Sequence, residues 1–277
     1  MKIQEILNEA IFRLKENKIE EPINKAKRLL AFTLNVTKEY LLINYQEEIP
    51  KEKVKTYNEN IEKLISGEPI QYIIGKQEFM GIEFIVNKNV LIPQPDTEIL
   101  VEKSIEIAKT YEKPKILDLC TGSGAIAVSM GKIFPQAIIY ASDISKEALL
   151  IAKTNDKSNK IKFIQSDMFE NIEEKFDIIV SNPPYIKTEE IKKLSKEVQN
   201  EPNIALDGGK DGLLFYKKII EQAYNYLNKN GYICLEIGED QKEGVTKLIE
   251  NNRHYKDIKT YKDLNKNDRV IICYYSD

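Results

Sequence analysis

An α/β fold, with a doubly wound, mostly parallel sheet, an antiparallel last strand and a small N-terminal helical domain, follows from three features of the 277-residue chain. From Lys115 onward, apolar strand runs alternate with helical patterns, the signature of βαβ units. The last two strand runs, Tyr255 to Lys259 and Arg269 to Tyr275, leave no room for a crossover helix between them and are expected to pair antiparallel. The first seventy or so residues carry helical periodicity with no strand pattern.

Within that N-terminal part, Ile3, Ile6, Leu7, Ala10, Ile11 and Leu14 share one helix face. Pro22 starts a second helix, with Ala26, Leu29, Leu30 and Leu34 inward. Thr37 caps a short third helix through Leu42, and a fourth runs from about Lys51 to Ser66, stopping at Gly67. Residues 1–70 are therefore expected to form a helical domain, whose short connections make its helices packing neighbours. Residues 71–96 read as a hairpin and connector. Gln77-Glu78-Phe79 and Ile82 to Val86 turn near Gly81, and Ile92-Pro93-Gln94-Pro95-Asp96 is too proline-rich for regular structure. Residues 97–277 form the large domain, opening with a helix through Ala108 that Asp96 or Thr97 is expected to cap. Its strand runs are Ile116 to Leu119, Ile138 to Ala141, Ile161 to Ile164, Phe176 to Val180 and Tyr232 to Ile237. No internal repeat stands out, and the lysine-rich stretches read as solvated helix faces.

Composition narrows the function. Hydrophobic residues make up 42% and charged residues 31%, as in a globular protein, and a net charge of -3 gives no global attraction for polyphosphate. Three widely spaced cysteines, Cys120, Cys234 and Cys273, fit a reducing compartment. The charged N-terminus lacks the apolar stretch of a signal peptide, and no run is long enough to span a bilayer, so a cytoplasmic location away from membranes is expected. His254 is the single histidine and lies in a polar stretch, Asn251 to Tyr255, which argues against metal clusters and against Ser-His-Asp chemistry. No metal site is expected.

Two segments carry the chemistry. Ser181-Asn182-Pro183-Pro184-Tyr185 follows the apolar run Phe176 to Val180, and ligands of open α/β sheets bind beyond the carboxyl ends of such strands. Pro183 and Pro184 fix the backbone, and the residue before a proline is held extended. The result is a stiff ledge offering the Asn182 side-chain oxygen and the Pro183 carbonyl as acceptors, with Tyr185 as a flat face. Such a ledge suits a planar –NH2 group, either an amide or an aromatic amine.

The second segment, Asp118-Leu119-Cys120-Thr121-Gly122-Ser123-Gly124-Ala125, joins a strand to a helix, where glycines let backbone N–H groups approach a ligand. It lacks the third glycine of a dinucleotide loop. Asp143 ends the second strand, placed to accept from ribose hydroxyls. Asp167, after the third, can accept from an adenine amino group while Met168 covers the ring. Three successive strand ends thus carry an aspartate. A ribose, an adenine and no phosphate clamp fit S-adenosylmethionine better than NAD.

With these motifs in this order, the chain resembles class I S-adenosylmethionine-dependent methyltransferases with a Rossmann-like sheet, specifically the release factor glutamine N5-methyltransferases of the HemK/PrmC type. The resemblance extends to Gly67 to Gly75, Leu91-Ile92-Pro93, Glu201 to Leu206, Gly208 to Leu213, Glu236-Ile237-Gly238 and Asp268-Arg269. It implies methyl transfer from S-adenosyl-L-methionine to the glutamine N5 of the Gly-Gly-Gln tip of peptide chain release factors, leaving S-adenosyl-L-homocysteine. It also implies a helical domain that helps engage the release factor. Cofactor contacts are expected at Cys120, Thr121, Gly122, Ser123, Gly124, Asp143, Asp167, Met168 and Asn182. Catalytic roles are expected at Asn182, Pro183 and Tyr185, and substrate contacts at Asn182, Pro183, Pro184 and Tyr185. A monomer without a nucleic-acid partner is expected. Three positions depart from the family pattern: Gln94 stands for a usual Arg, Cys120 for a common Gly, and Met168 for a common Trp. Asn-Pro-Pro-Tyr is shared with adenine-N6 methyltransferases, which makes a DNA or RNA adenine methyltransferase the main alternative. A nicotinamide dehydrogenase and a non-catalytic cofactor-binding module follow it.

Overall fold

The computed structural model describes residues 1–276. Contacts divide them into two compact units, the first comprising Met1–Gly75 together with Ser195–Asn200.

In the first unit, α1 (Ile3–Glu16), α2 (Pro22–Leu34), α3 (Lys38–Ile43), α4 (Lys51–Ser66) and α5 (Ile70–Ile74) follow one another. Ile3, Ile6, Ala10 and Leu14 of α1 are buried with Leu29 and Leu30 of α2 and Ile61 and Leu64 of α4. Buried Tyr57 ties α4 to α2 by donating its hydroxyl to the Ala26 carbonyl at 3.1 Å. Pro22 sits in the first turn of α2, Gly67 ends α4 at φ 102°, and Thr37 caps α3 by accepting from the Tyr40 N–H at 3.2 Å. The sequence reading missed α5, which starts after Pro69 and stops at left-handed Gly75. Five residues are too few to reveal a 3.6-residue period. The segment 195–200 joins this unit through an ion pair between Glu197 and buried Lys25, and through Asn200 Nδ2 donating to the Gly67 carbonyl at 2.9 Å.

The second unit, Lys76–Leu194 and the chain from Glu201 onward, opens with the hairpin β1 (Lys76–Phe79) and β2 (Ile82–Ile85). Met80 and Gly81 both take positive φ, 51° and 65°, as a two-residue hairpin turn demands. Next come α6 (Thr97–Ala108), β3 (Lys115–Leu119), α7 (Ala125–Ile133), β4 (Ile138–Asp143), α8 (Lys146–Asn155), β5 (Lys162–Gln165) and β6 (Phe176–Ser181). After α9 (Lys196–Gln199), which belongs to the first unit, come α10 (Asn203–Leu206), α11 (Leu214–Gln222), β7 (Leu227–Glu236), α12 (Lys242–Glu250), β8 (Tyr255–Lys262) and β9 (Asp268–Tyr275). The seven-stranded sheet has the order β5-β4-β3-β6-β7-β9-β8, with β9 antiparallel to both β7 and β8.

Successive side chains of the central strands feed opposite cores. Leu117, Leu119, Ile179 and Leu235 pack on one face, whereas Ile116, Ile178, Val180 and Cys234 pack on the other. Burial on both faces explains why these strands read as continuous apolar runs. No helix among the described residues is long and apolar enough to cross a membrane.

One capping expectation fails. Asp96 and Thr97 make no cap bond to α6. Asp96 instead pairs with Arg269 at 3.2 Å, and the Thr97 hydroxyl accepts from Asn182 Nδ2 at 3.2 Å. An ion pair and a buried side-chain contact have displaced a local bond.

Replacing Thr37 by Ala should lower the stability of the first unit by about 0.5–2 kcal/mol, because one N-terminal amide of α3 loses its acceptor. Thr37→Ser should restore it. Urea denaturation followed by helical circular dichroism measures both, and an unchanged midpoint for the Ala variant contradicts the cap.

Candidate functional site

The strand order reverses beside β3: the chain runs outward through β4 and β5, then returns to place β6 on the other side of β3. Leu119 pairs with Ser181 at this switch point, and Ser181 Oγ donates to the Leu119 carbonyl at 2.6 Å. The loop after β3 and the ledge after β6 therefore leave the sheet side by side, as the topology requires of a ligand site.

The loop is shaped from below by buried Asp118, which accepts from Thr121 Oγ1 at 2.5 Å and from the Ala127 N–H at 3.1 Å. Burial pushes this carboxyl up to about 7, against those two hydrogen bonds. Of the three strand-end aspartates, Asp118 is thus the one turned into the protein. Cys120, Gly122 and Gly124 all have positive φ, 63°, 55° and 80°. Cys120 carries a Cβ in a left-handed conformation that costs roughly 1–2 kcal/mol. Gly124 lines neither of the two cavities at this site, and a Cβ there would meet the Ala152 Cβ at 3.1 Å, so it serves helix packing.

Asp143 closes β4 with one carboxylate oxygen on the Gly122 N–H at 2.8 Å and the other on the Ser145 N–H at 2.9 Å. Each oxygen keeps a second lone pair for a ligand hydroxyl. Burial raises its pKa, opposed by these backbone donors. The turn after β5 is set by Ser166, whose hydroxyl donates to the Met168 carbonyl at 2.9 Å and accepts from the Asn171 N–H at 3.0 Å. Met168 is buried at φ 48°.

These pieces enclose a cavity of about 200 Å³ lined by Cys120, Gly122, Asp143, Asp167, Met168, Asn182 and Pro184. Thr121 and Ser123 lie instead on a neighbouring cavity of about 50 Å³ that shares Leu91, Cys120, Gly122 and Asn182 with the first. The structure therefore gathers most of the expected cofactor residues. Pro183 and Tyr185 line neither cavity. Pro183 is buried, and half-buried Tyr185 donates its hydroxyl to Glu236 Oε1 at 3.3 Å. No hydrogen bond reaches the Pro183 carbonyl among the described residues. Gln94 spends its amide on the Ile92 carbonyl at 3.1 Å, while the Asp96–Arg269 pair supplies an ion pair at that corner. His254 lies far in sequence from both motifs and stacks on Tyr224, with ring centroids 4.1 Å apart.

Several residues at the site were not read from the sequence. Phe215 and Lys218 of α11 complete the larger cavity, with Lys218 Nζ 4.0 Å from Asp167. Buried Gln241 donates to the Tyr185 carbonyl at 2.8 Å and to the Gly212 carbonyl at 3.2 Å, bracing the ledge from behind. Gly208 touches the same ledge, and a Cβ there would lie 2.6 Å from Tyr185 Cα. The Gly208-Gly209-Lys210-Asp211-Gly212 cluster was the available signal, since glycines mark close backbone approach. Gly208→Ala should therefore shift the ledge and lower turnover about a hundredfold, the scale of a one-ångström misplacement. S-adenosylmethionine affinity, measured by calorimetry, should stay at the wild-type value. Wild-type turnover in this variant contradicts the bracing.

Residues 5–75 match the PrmC N-terminal domain and residues 95–209 the methyltransferase small domain. A protein of Clostridium acetobutylicum named release factor glutamine methyltransferase is 41% identical, covering 99% of this chain and 98% of its own. One of the same name from Thermodesulfovibrio yellowstonii is 42% identical over 98% of this chain and 96% of its own. The crystal structure of a Pyrococcus furiosus methyltransferase shares the fold, with a TM-score of 0.53 at 18% identity over 82% of this chain and 100% of that one. Near-full-length identity at this level, together with the sheet's switch-point site, makes this chain a member of the release factor glutamine methyltransferase family.

Proposed function

We propose that this protein transfers one methyl group from S-adenosyl-L-methionine to the side-chain amide nitrogen of the glutamine in the Gly-Gly-Gln motif of a peptide chain release factor. The observation that carries the reading is the orientation of Asn182. Its Nδ2 donates to Thr97 Oγ1 at 3.2 Å, which leaves Oδ1 as an acceptor at the rim shared by the two cavities.

The donor set fits the cofactor. Asp143 and Asp167 are acceptors on the cavity wall, Met168 supplies a polarisable apolar surface, and the lysine lining the cavity, Lys218, lies beside Asp167 rather than clamping a diphosphate at the glycine loop. Bound S-adenosylmethionine supplies a sulfonium methyl that is already activated. On this reading, Asp143 holds the ribose hydroxyls, Asp167 the adenine amino group, and Met168 one face of the ring. Cys120 and Gly122 are the backbone wall beside the methionyl part, with Thr121 and Ser123 behind them.

The protein's task is the nucleophile. A carboxamide nitrogen shares its lone pair with the carbonyl, and the ~18–20 kcal/mol barrier to amide rotation measures that conjugation. Asn182 Oδ1 and the Pro183 carbonyl accept from the two N–H groups, localise the lone pair and aim it along the transfer line. Positioning of this kind can contribute roughly 7–11 kcal/mol. Pro184 and Tyr185 stiffen the ledge and shape its substrate side. No group needs to remove a proton before attack, because the nitrogen becomes acidic only once it is alkylated; it then releases one proton to water as S-adenosyl-L-homocysteine is left behind.

The helical first unit is assigned the task of engaging the release factor, in keeping with its match to the PrmC N-terminal domain. The enzyme acts as a monomer, since every proposed site residue belongs to one unit of one chain, and in the cytoplasm, whose reducing conditions suit its three free cysteines; the net charge of -3 gives no pull toward nucleic acid.

Mass spectrometry of a release factor incubated with enzyme and S-adenosylmethionine should place a single methyl on that glutamine. Methylated adenine beside an unmodified release factor would instead identify a base methyltransferase. Asn182→Ala should lower kcat by about a hundredfold or more with little change in KM, the pattern of a contact strengthened in the transition state. Asp143→Ala should weaken cofactor binding by about 1.5–3 kcal/mol, and unchanged affinity by calorimetry removes Asp143 from the site.

A further inference from the structure

Behind the ledge lies a buried carboxylate that the reaction above does not use. Glu236 ends β7 at 2% exposure. Its Oε1 accepts from Tyr185 Oη at 3.3 Å, and its Oε2 has no hydrogen-bond partner among the described residues. Thr97, 4% exposed, accepts from Asn182 Nδ2 at 3.2 Å, and its hydroxyl is near enough to Glu236 to hold that carboxyl's pKa down.

A threonine hydroxyl has one proton and two lone pairs. When that proton points at an ionised Glu236, a lone pair remains for Asn182 Nδ2, and the Asn182 oxygen must face the other way, toward the cavities. When Glu236 is protonated, its own O–H can donate to Thr97 Oγ1. The Thr97 proton is then free to turn to Asn182, which would present its oxygen inward and its –NH2 to the substrate. Two –NH2 groups facing each other cannot hydrogen-bond.

We propose that Glu236 is a positioning residue for methyl transfer, acting through Thr97 to fix Asn182 with its oxygen toward the substrate amide. The inference rests on the reaction proposed above. Burial pushes the Glu236 carboxyl up to about 7, opposed first by the Thr97 hydroxyl, then by Arg269 and by Tyr185. The charged and titratable groups facing it are Arg269 from β9, Asp96 before α6, Tyr185 on the ledge and Tyr216 of α11, whose hydroxyl donates to the Glu236 carbonyl at 2.9 Å. Arg269 is itself shared between Asp96 at 3.2 Å and Asp263 at 3.1 Å, so it neutralises Glu236 only in part. The ionised form is the competent one, and activity therefore rises with pH through the neutral range.

The first test needs no turnover. In protein labelled with 15N-asparagine, the Asn182 side-chain amide signal, identified by its loss in Asn182→Ala, should shift with an inflection near pH 7. The inflection should vanish in Glu236→Gln. A signal that does not titrate, or that still titrates in Glu236→Gln, overturns the proposal. The second test is kinetic. Thr97→Val should lower kcat about a hundredfold at unchanged cofactor affinity, with Thr97→Ser restoring it, and the acid limb of the kcat profile should be lost in Glu236→Gln. Wild-type kcat in Thr97→Val also overturns it. A wild-type enzyme that shows the Asn182 titration but does not methylate glutamine refutes the proposed reaction while leaving the positioning in place.

Discussion

The parallel pairing of β3 with β6 is the constraint on which the site depends. Because Leu119 and Ser181 are held together at the carboxyl ends of these strands, and Ser181 Oγ closes on the Leu119 carbonyl, the glycine loop and the proline ledge emerge side by side. Neither segment reaches the other by its own local structure. The pairing also dictates where the third and fourth pieces fall, since β4 lies beside β3 and carries Asp143 to the same edge, with β5 and the Met168 turn next. A shift of one residue in this register would turn every side chain of the central strands to the opposite core.

The site departs from a pure stability solution in ways that share one origin. Cys120 and Met168 take left-handed backbone conformations beside the cavity, and Asp118 and Glu236 are carboxyls buried just behind it. Burial raises both of these carboxyls to about 7. A carboxyl raised in the folded state contributes its full stabilisation below its ordinary value near 4, and loses it as pH rises through about 7. At neutral pH both groups therefore weigh against folding, and what they return is a loop and a ledge held in one geometry. Such local violations are expected where function rather than stability selects the residue.

Much of this was legible in the sequence because it is local. Helical and strand periods located the first four helices, the helix ending at Ala108 and the strands of the sheet, Pro22, Gly67 and Gly81 marked ends, and the strand-end position of Asp143 and Asn182 placed them at the sheet's edge. What the sequence concealed is contact between distant segments. The expectation that Asp96 or Thr97 caps α6 was reasonable locally and failed because Arg269 and Asn182 claim those side chains. Gln241 and Glu236 look like ordinary polar residues near a strand end, and only the fold shows them buried behind Tyr185. The fifth helix and the attachment of residues 195–200 to the helical unit escaped for the same reason, one too short for a period and the other set by packing.

The central claim is that the ledge holds a primary amide by both of its N–H groups. A crystal structure with S-adenosyl-L-homocysteine and a Gly-Gly-Gln peptide measures this directly. The account predicts the glutamine nitrogen at hydrogen-bond distance, about 2.9 Å, from both Asn182 Oδ1 and the Pro183 carbonyl, with Asn182 Nδ2 still on Thr97. A glutamine nitrogen out of reach of the Pro183 carbonyl, or facing Asn182 Nδ2, would contradict it.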